Sequence, residues 1–140
     1  MTRDEITTLF ERRERAWRSR DFATLTSGHS ENGTVISPMF GTIHGRQAIE
    51  KAYRDLFIAF QDWEYGSQEL ICEGQRVAHA YTVRATHSSD FFGVPATGRR
   101  FEIHGVTLYK LDQGLISEDR RIYDFTALLI QIGVLKARPR

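Results

Sequence analysis

A carboxylate and a guanidinium stand two residues apart near the C-terminus, at Asp119 and Arg121. The run Leu115 to Tyr123 has extended character, so alternation places Asp119, Arg121 and Tyr123 on one face of a strand. A nearby guanidinium lowers the pKa of a carboxylate and makes it a poorer base, while itself becoming a donor for an enolate or carboxylate. Arg121 therefore reads as an anion anchor, with a plain cross-strand ion pair as the alternative. His87 is the second candidate, and His79 and Tyr81 share its face by period two. An imidazole that titrates near neutrality can move a proton at an apolar wall; the competing reading is a hydrogen-bonded structural histidine. Asp124 is the remaining catalytic candidate. It precedes an apolar helical run, where its oxygen would instead accept from the first turn as an N-cap, a role worth about 1 kcal/mol.

Other chemistries are poorly represented. The five histidines, His29, His44, His79, His87 and His104, form no i,i+4 helical pair and no HExxH pattern, so no metal site is expected. Convergence of His79, His87 and Asp119 is the one combination left open. Neither GxGxxG nor a Walker sequence occurs, and no cofactor is expected. Cys72 is the only cysteine, which excludes an internal disulfide and reads as a buried strand residue. With 19 basic against 18 acidic residues the formal charge is +1, too little for a nucleic-acid partner. The chain opens with Thr2, Arg3, Asp4 and Glu5, and no stretch has the length of a membrane span, so a cytoplasmic protein with no membrane partner is expected.

These candidates must be held by elements that the patterning outlines. Thr2 and Glu5 have capping-box spacing, and Ile6, Leu9, Phe10, Arg13 and Trp17 then share a helical stripe. Asp21 begins a short helical segment through Phe22 and Leu25. Asn32-Gly33 marks a turn before a short strand, Thr34 to Ser37, stopped by Pro38. Ile49, Ala52, Tyr53, Leu56, Phe57 and Phe60 form the widest helical face. Beyond residue 60 the runs Trp63 to Cys72, Arg76 to Ser88, Arg99 to Leu111 and Leu115 to Tyr123 predict a four-strand antiparallel meander. A last helix, Phe125 to Ile132, ends at Gly133 in a left-handed cap. Helices segregated from a meander define an α+β fold, one domain over 1–135 with a basic tail at 136–140 whose Lys136, Arg138 and Arg140 read as a solvated terminus. Strands this long coil, and coiling around the third helix leaves a hollow. Tyr53, Phe57, Trp63, His79, Tyr81, Thr107 and Tyr123 are the candidate substrate-binding residues. Phe91-Phe92, in the loop before Gly93, is expected to be an exposed apolar pair.

Gly41-Thr42-Ile43-His44-Gly45-Arg46, Phe60-Gln61-Asp62, Thr86-His87, Gly93 through Arg99, Asp112 through Ile116, Asp124-Phe125 and Gln131-Ile132-Gly133 together carry a resemblance over nearly the whole chain. They resemble the SnoaL-like polyketide cyclases, a branch of the nuclear-transport-factor-2-like (NTF2-like) superfamily. That resemblance implies a cone-shaped curved antiparallel sheet, an α+β barrel packed on N-terminal helices, dimeric through the outer face of the sheet. It also implies an apolar cavity at the wide end and an intramolecular aldol condensation needing neither metal nor cofactor. In the cyclases it resembles, the acid/base Asp falls at the position of Arg121 and its companion His at the position of Thr107.

The expected function is a cofactor-independent cyclase or isomerase acting by proton transfer on a small apolar carbonyl or polyketide-like substrate. In it Arg121 holds developing negative charge, and His87 or Asp119 moves the proton. The alternatives are a non-catalytic small-molecule-binding or dimerisation domain, and an epoxide-hydrolase-like hydrolase, for which no Asp-x-Arg-x-Asp relay is present.

Overall fold

The computed structural model describes residues 1–91 and 93–136. Helix α1 (Arg3–Ser19) starts at the capping box, with Glu5 N–H donating to Thr2 Oγ1 at 3.1 Å and Thr2 N–H to Glu5 Oε2 at 2.9 Å. Its stripe is buried, Arg13 included. Asp21 caps α2 (Phe22–Ser27). Strands β1 (His29–Ser37) and β2 (Gly41–His44) precede α3 (Arg46–Ala59). The meander follows as β3 (Glu64–Glu73), β4 (Arg76–Thr86), β5 (Arg100–Asp112) and β6 (Leu115–Tyr123), and α4 (Phe125–Gln131) closes the chain, with Gly133 at φ 85°.

The sheet has six strands in the order β2-β1-β6-β5-β4-β3. It is curved and open, with β2 and β3 as its edges, so it does not close into a full barrel. Two features correct the expected meander. Strand β1 begins five residues earlier than Thr34 and runs parallel to β6, pairing Val35 with Asp119. Asn32-Gly33 is not a turn between elements but lies where the β1–β6 register shifts, a bulge inside one strand. The short edge strand β2 was not expected at all; it has only four residues, begins at Gly41 and is followed by Gly45, which leaves no periodic signal.

Burial along β4 alternates with period two, and Val77, His79, Tyr81, Val83 and Ala85 face inward. On β6 the register slips between Lys110 and Leu111 of its partner, so the inward set changes from Ile116 to Asp119, Arg121 and Tyr123. The main core joins these inner faces to α3 and α4, around Tyr53, Leu56, Phe60, Val83, Phe101 and Leu128. A smaller cluster seats Ile6, Leu9 and Phe10 of α1 on Val77, Tyr109, Leu111 and Ile116.

The expected exposed aromatic pair is corrected in the half that is described. Phe91 is buried, with its ring centroid 4.9 Å from Phe60, because the loop folds back through the Phe91–Val94 bridge. Phe92 lies outside the described residues, as do Arg138 and Arg140 of the basic tail. Cys72 is half-buried on β3 rather than buried. No helix among the described residues is long and apolar enough to cross a membrane.

Candidate functional site

The concave face of the sheet, α3 and α4 enclose a narrow cavity of about 40 Å³. Trp17, Leu56, Trp63, Phe101, Ile103 and Leu128 supply much of its apolar lining. Tyr65, Tyr81, Tyr109, Tyr123 and Thr107 add hydroxyls, and Arg121 is the one charged side chain in the wall among the described residues. Aromatic rings dominate because the inward positions of β3, β4 and β5 stack Tyr65 on Tyr81 and on Trp17, with centroids 5.6 and 5.1 Å apart.

Arg121 is held side-on by Asp119, with Nε donating to Oδ1 at 3.2 Å and Nη2 to Oδ2 at 3.3 Å. Its guanidinium carbon lies 5.6 Å from the Trp17 ring centre and 5.4 Å from that of Tyr53. The Asp119 side chain is fully buried and that of Arg121 is 11% exposed, so the pair presents its cationic side to the cavity. Burial alone pushes Asp119 upward, but Arg121, His29 and Arg13 outweigh it and hold the carboxyl below its ordinary value. Burial likewise opposes the charge on Arg121, and Asp119 restores it well above the ordinary value.

Behind this pair lies a polar shell that the expected site did not contain. The Tyr53 hydroxyl lies 2.8 Å from His29 Nε2 and accepts from Arg13 Nη2 at 3.1 Å, while Arg13 Nη1 donates to the Leu25 carbonyl at 2.9 Å. His29 Nε2 stands 3.9 Å from Asp119 Oδ2. Burial, then Arg13, Arg121 and Arg46 against the pull of Asp119, drive His29 from 6.5 to about 3, so its imidazole is neutral at physiological pH. Arg13 had been visible only as a charge on an otherwise apolar helical stripe. His29 sits among Gly28, Ser30 and Glu31, with no pattern to mark it.

The structure separates the remaining expected residues. Trp63, Tyr81, Thr107, Tyr123 and Arg121 line the cavity. Tyr53 and Phe57 do not: Tyr53 is in the shell behind, and Phe57 packs edge-on to Trp17 and Trp63. His79 is also outside the cavity, bonded to Ser67 Oγ at 2.6 Å and Tyr65 Oη at 3.3 Å, and burial lowers it to about 4. His87 is fully buried but staples the loop that follows β4: its Nδ1 accepts from Thr97 N–H at 3.3 Å and lies 3.0 Å from Thr97 Oγ1. Its backbone pairs with Arg99 and Gly98. Asp124 caps α4, accepting from Ala127 N–H at 2.9 Å, and is exposed. Thus Asp119 and Arg121 come together, whereas His87 and Asp124 are placed apart from them. No group of three His, Cys, Asp or Glu side chains among the described residues is placed to hold a metal ion.

Gly105 matters to the wall. A Cβ there would meet the Tyr81 ring at 2.6 Å, so a glycine opposite Tyr81 lets its phenol lie across β5. Burial pushes that phenol up to about 12, against the pull of Arg121, and leaves it a hydrogen-bond donor. Trp63 contributes an indole N–H that is buried without a partner among the described residues.

A curved open sheet wrapped on helices around an apolar cavity defines an NTF2-like protein, the ketosteroid isomerase-like class of folds. The SnoaL-like polyketide cyclase family model matches residues 7–132, and the chain belongs to that family. Among solved structures it is similar to TsrD from Streptomyces laurentii, at TM-score 0.85 and 21% identity over 96% of this chain and 99% of that one. AclR from Streptomyces galilaeus, a proposed hydroxylase, superposes at TM-score 0.85 with 25% identity, covering 99% and 91%. IdmH from Streptomyces antibioticus, a proposed polyketide cyclase, gives TM-score 0.76 and 27% identity, covering 91% and 97%. No curated protein matches the chain in sequence.

Proposed function

We propose that this protein is a cyclase or isomerase that promotes proton transfer on a small, largely apolar carbonyl or polyketide-like molecule, using its own side chains and no cofactor. The observation that carries the reading is the single guanidinium of Arg121 in an otherwise uncharged, aromatic cavity. In a low-dielectric wall, a fixed cation aimed at a substrate oxygen stabilises the enolate formed when an α-proton leaves. Trp63 N–H and the Tyr81 hydroxyl supply further donors for oxygens of the same molecule. Asp119 is bound to Arg121 and His87 to Thr97, so their roles are to aim the anchor and to fix a loop. The chain's contribution is then electrostatic. A methylene between two carbonyls gives its proton to water, the resulting carbanion attacks a third carbonyl further along the same molecule, and the alkoxide takes a proton back.

The same reading includes a homodimer through the outer face of the sheet, where Ile71 and Ile122 are 58% and 50% exposed. Ile122→Glu is expected to give monomers by light scattering; a wild-type protein that is itself monomeric would remove this part.

The anchor is tested with 2-naphthol, whose ionisation is followed by absorbance across a pH series. Bound to the wild type, its pKa is expected to fall by about 1–3 units, as for any acid beside a buried cation. Arg121→Met should abolish that shift while the apolar walls still hold the probe. Binding with unshifted ionisation in the wild type would leave a binding module instead of an enzyme.

A further inference from the structure

The ion pair at the cavity wall is neutral by itself. Asp119 grips Arg121 through both of its oxygens and so weakens, without cancelling, the cation that the open side of Arg121 presents to a ligand. A second buried guanidinium changes that balance. Arg13 is 2% exposed and reaches the back of the same cluster through Tyr53, and Gly28 makes room for it, since a Cβ there would meet Nη1 at 2.8 Å. Its remaining bonds go to a backbone carbonyl, its Nε has no partner, and Asp119 is the one acidic side chain in an ion pair with the cluster among the described residues. The other neighbours are the imidazole of His29 and the phenols of Tyr53 and Tyr109, while Arg46 adds another cation from the far side by donating to the His29 carbonyl.

We infer that Arg13, which does not itself line the cavity, sets its charge selectivity: the cluster Arg13–Asp119–Arg121 holds two cations against one anion, and the cavity takes a ligand with one negative charge, a carboxylate or an ionised enol, in preference to its neutral isostere. A buried charge in excess is costly until a counter-charge arrives, and here the open side of Arg121 is where it arrives. Arg13 is thus a positioning residue that acts through Asp119 and Arg121. The inference rests on the reading of the cavity as a ligand site.

The test compares 2-naphthoate with 2-naphthamide, matched in shape, by calorimetry and tryptophan quenching. The wild type should bind naphthoate about tenfold or more tightly than naphthamide. Arg13→Met should bring the two affinities together while leaving naphthamide unchanged within about twofold, and Arg13→Lys, which keeps the charge, should restore the preference. A wild type that binds both probes alike, or an Arg13→Met protein that keeps the full preference, overturns the inference. If that happens while 2-naphthol ionisation still shifts, the role of Arg121 stands and only the charge selectivity fails. If neither naphthalene probe binds, the cavity reading itself fails and takes the inference with it.

Discussion

Asp119→Asn is expected to lower folding stability by about 3–5 kcal/mol, which for many domains of this size is a large share of the total. The amide keeps the shape of the carboxylate and removes its charge, and Arg121 and Arg13 are then buried without a counter-ion. Removing one member of a buried pair costs far more than replacing the pair, because the surviving charge keeps its desolvation penalty. Asp119→Asn combined with Arg121→Gln should therefore recover part of the loss in urea denaturation. If the single variant is as stable as the wild type, the carboxylate is not what holds Arg121.

Acid should unfold the protein early, starting as the pH falls below about 6.5. His29 is depressed from 6.5 to about 3 in the folded state, first by burial and then by the surrounding arginines. The unfolded chain therefore binds a proton that the native state refuses, and stability that is fully present above pH 6.5 is lost progressively as the pH drops toward 3. The depression corresponds to on the order of 5 kcal/mol at full effect. His79, lowered to about 4, acts in the same direction, and Asp119 adds to it further down, since its own lowered pKa stabilises only above the unfolded carboxylate range. His29→Gln can still offer an oxygen to the Tyr53 hydroxyl, and its acid midpoint by circular dichroism should move to lower pH. An unchanged midpoint would mean that His29 protonates without opening the fold.

The parts of this site visible in the sequence are those that depend on local repetition. Period two along β6 puts Asp119, Arg121 and Tyr123 on one face, and period 3.6 along α3 predicts that Tyr53 and Leu56 face inward. What was not visible depends on partners far along the chain. The direction of the His87 side chain is set by Thr97, ten residues on and across a loop, so nothing local to the strand end decides between a proton carrier and a hydrogen-bonded structural residue. His29 becomes part of the site only because β1 lies beside β6, a pairing with no local signature. Gly105 carries no local signal either, since what it makes room for is the phenol of Tyr81 on the neighbouring strand. The departure at Arg121 from the cyclase pattern was plain, whereas the buried guanidinium of Arg13 behind it was marked only by its place on an apolar stripe.

The parallel seam between β1 and β6 also governs when this chain can finish folding. Residues 29–37 bond to residues 115–123, whereas the hairpins of β3, β4, β5 and β6 are local. During synthesis the early strand must wait, one edge unmatched, for almost ninety further residues to leave the ribosome, several seconds at about 5–20 residues per second. Long-range closure of this kind slows the final step and exposes β1 to wrong partners in the interval.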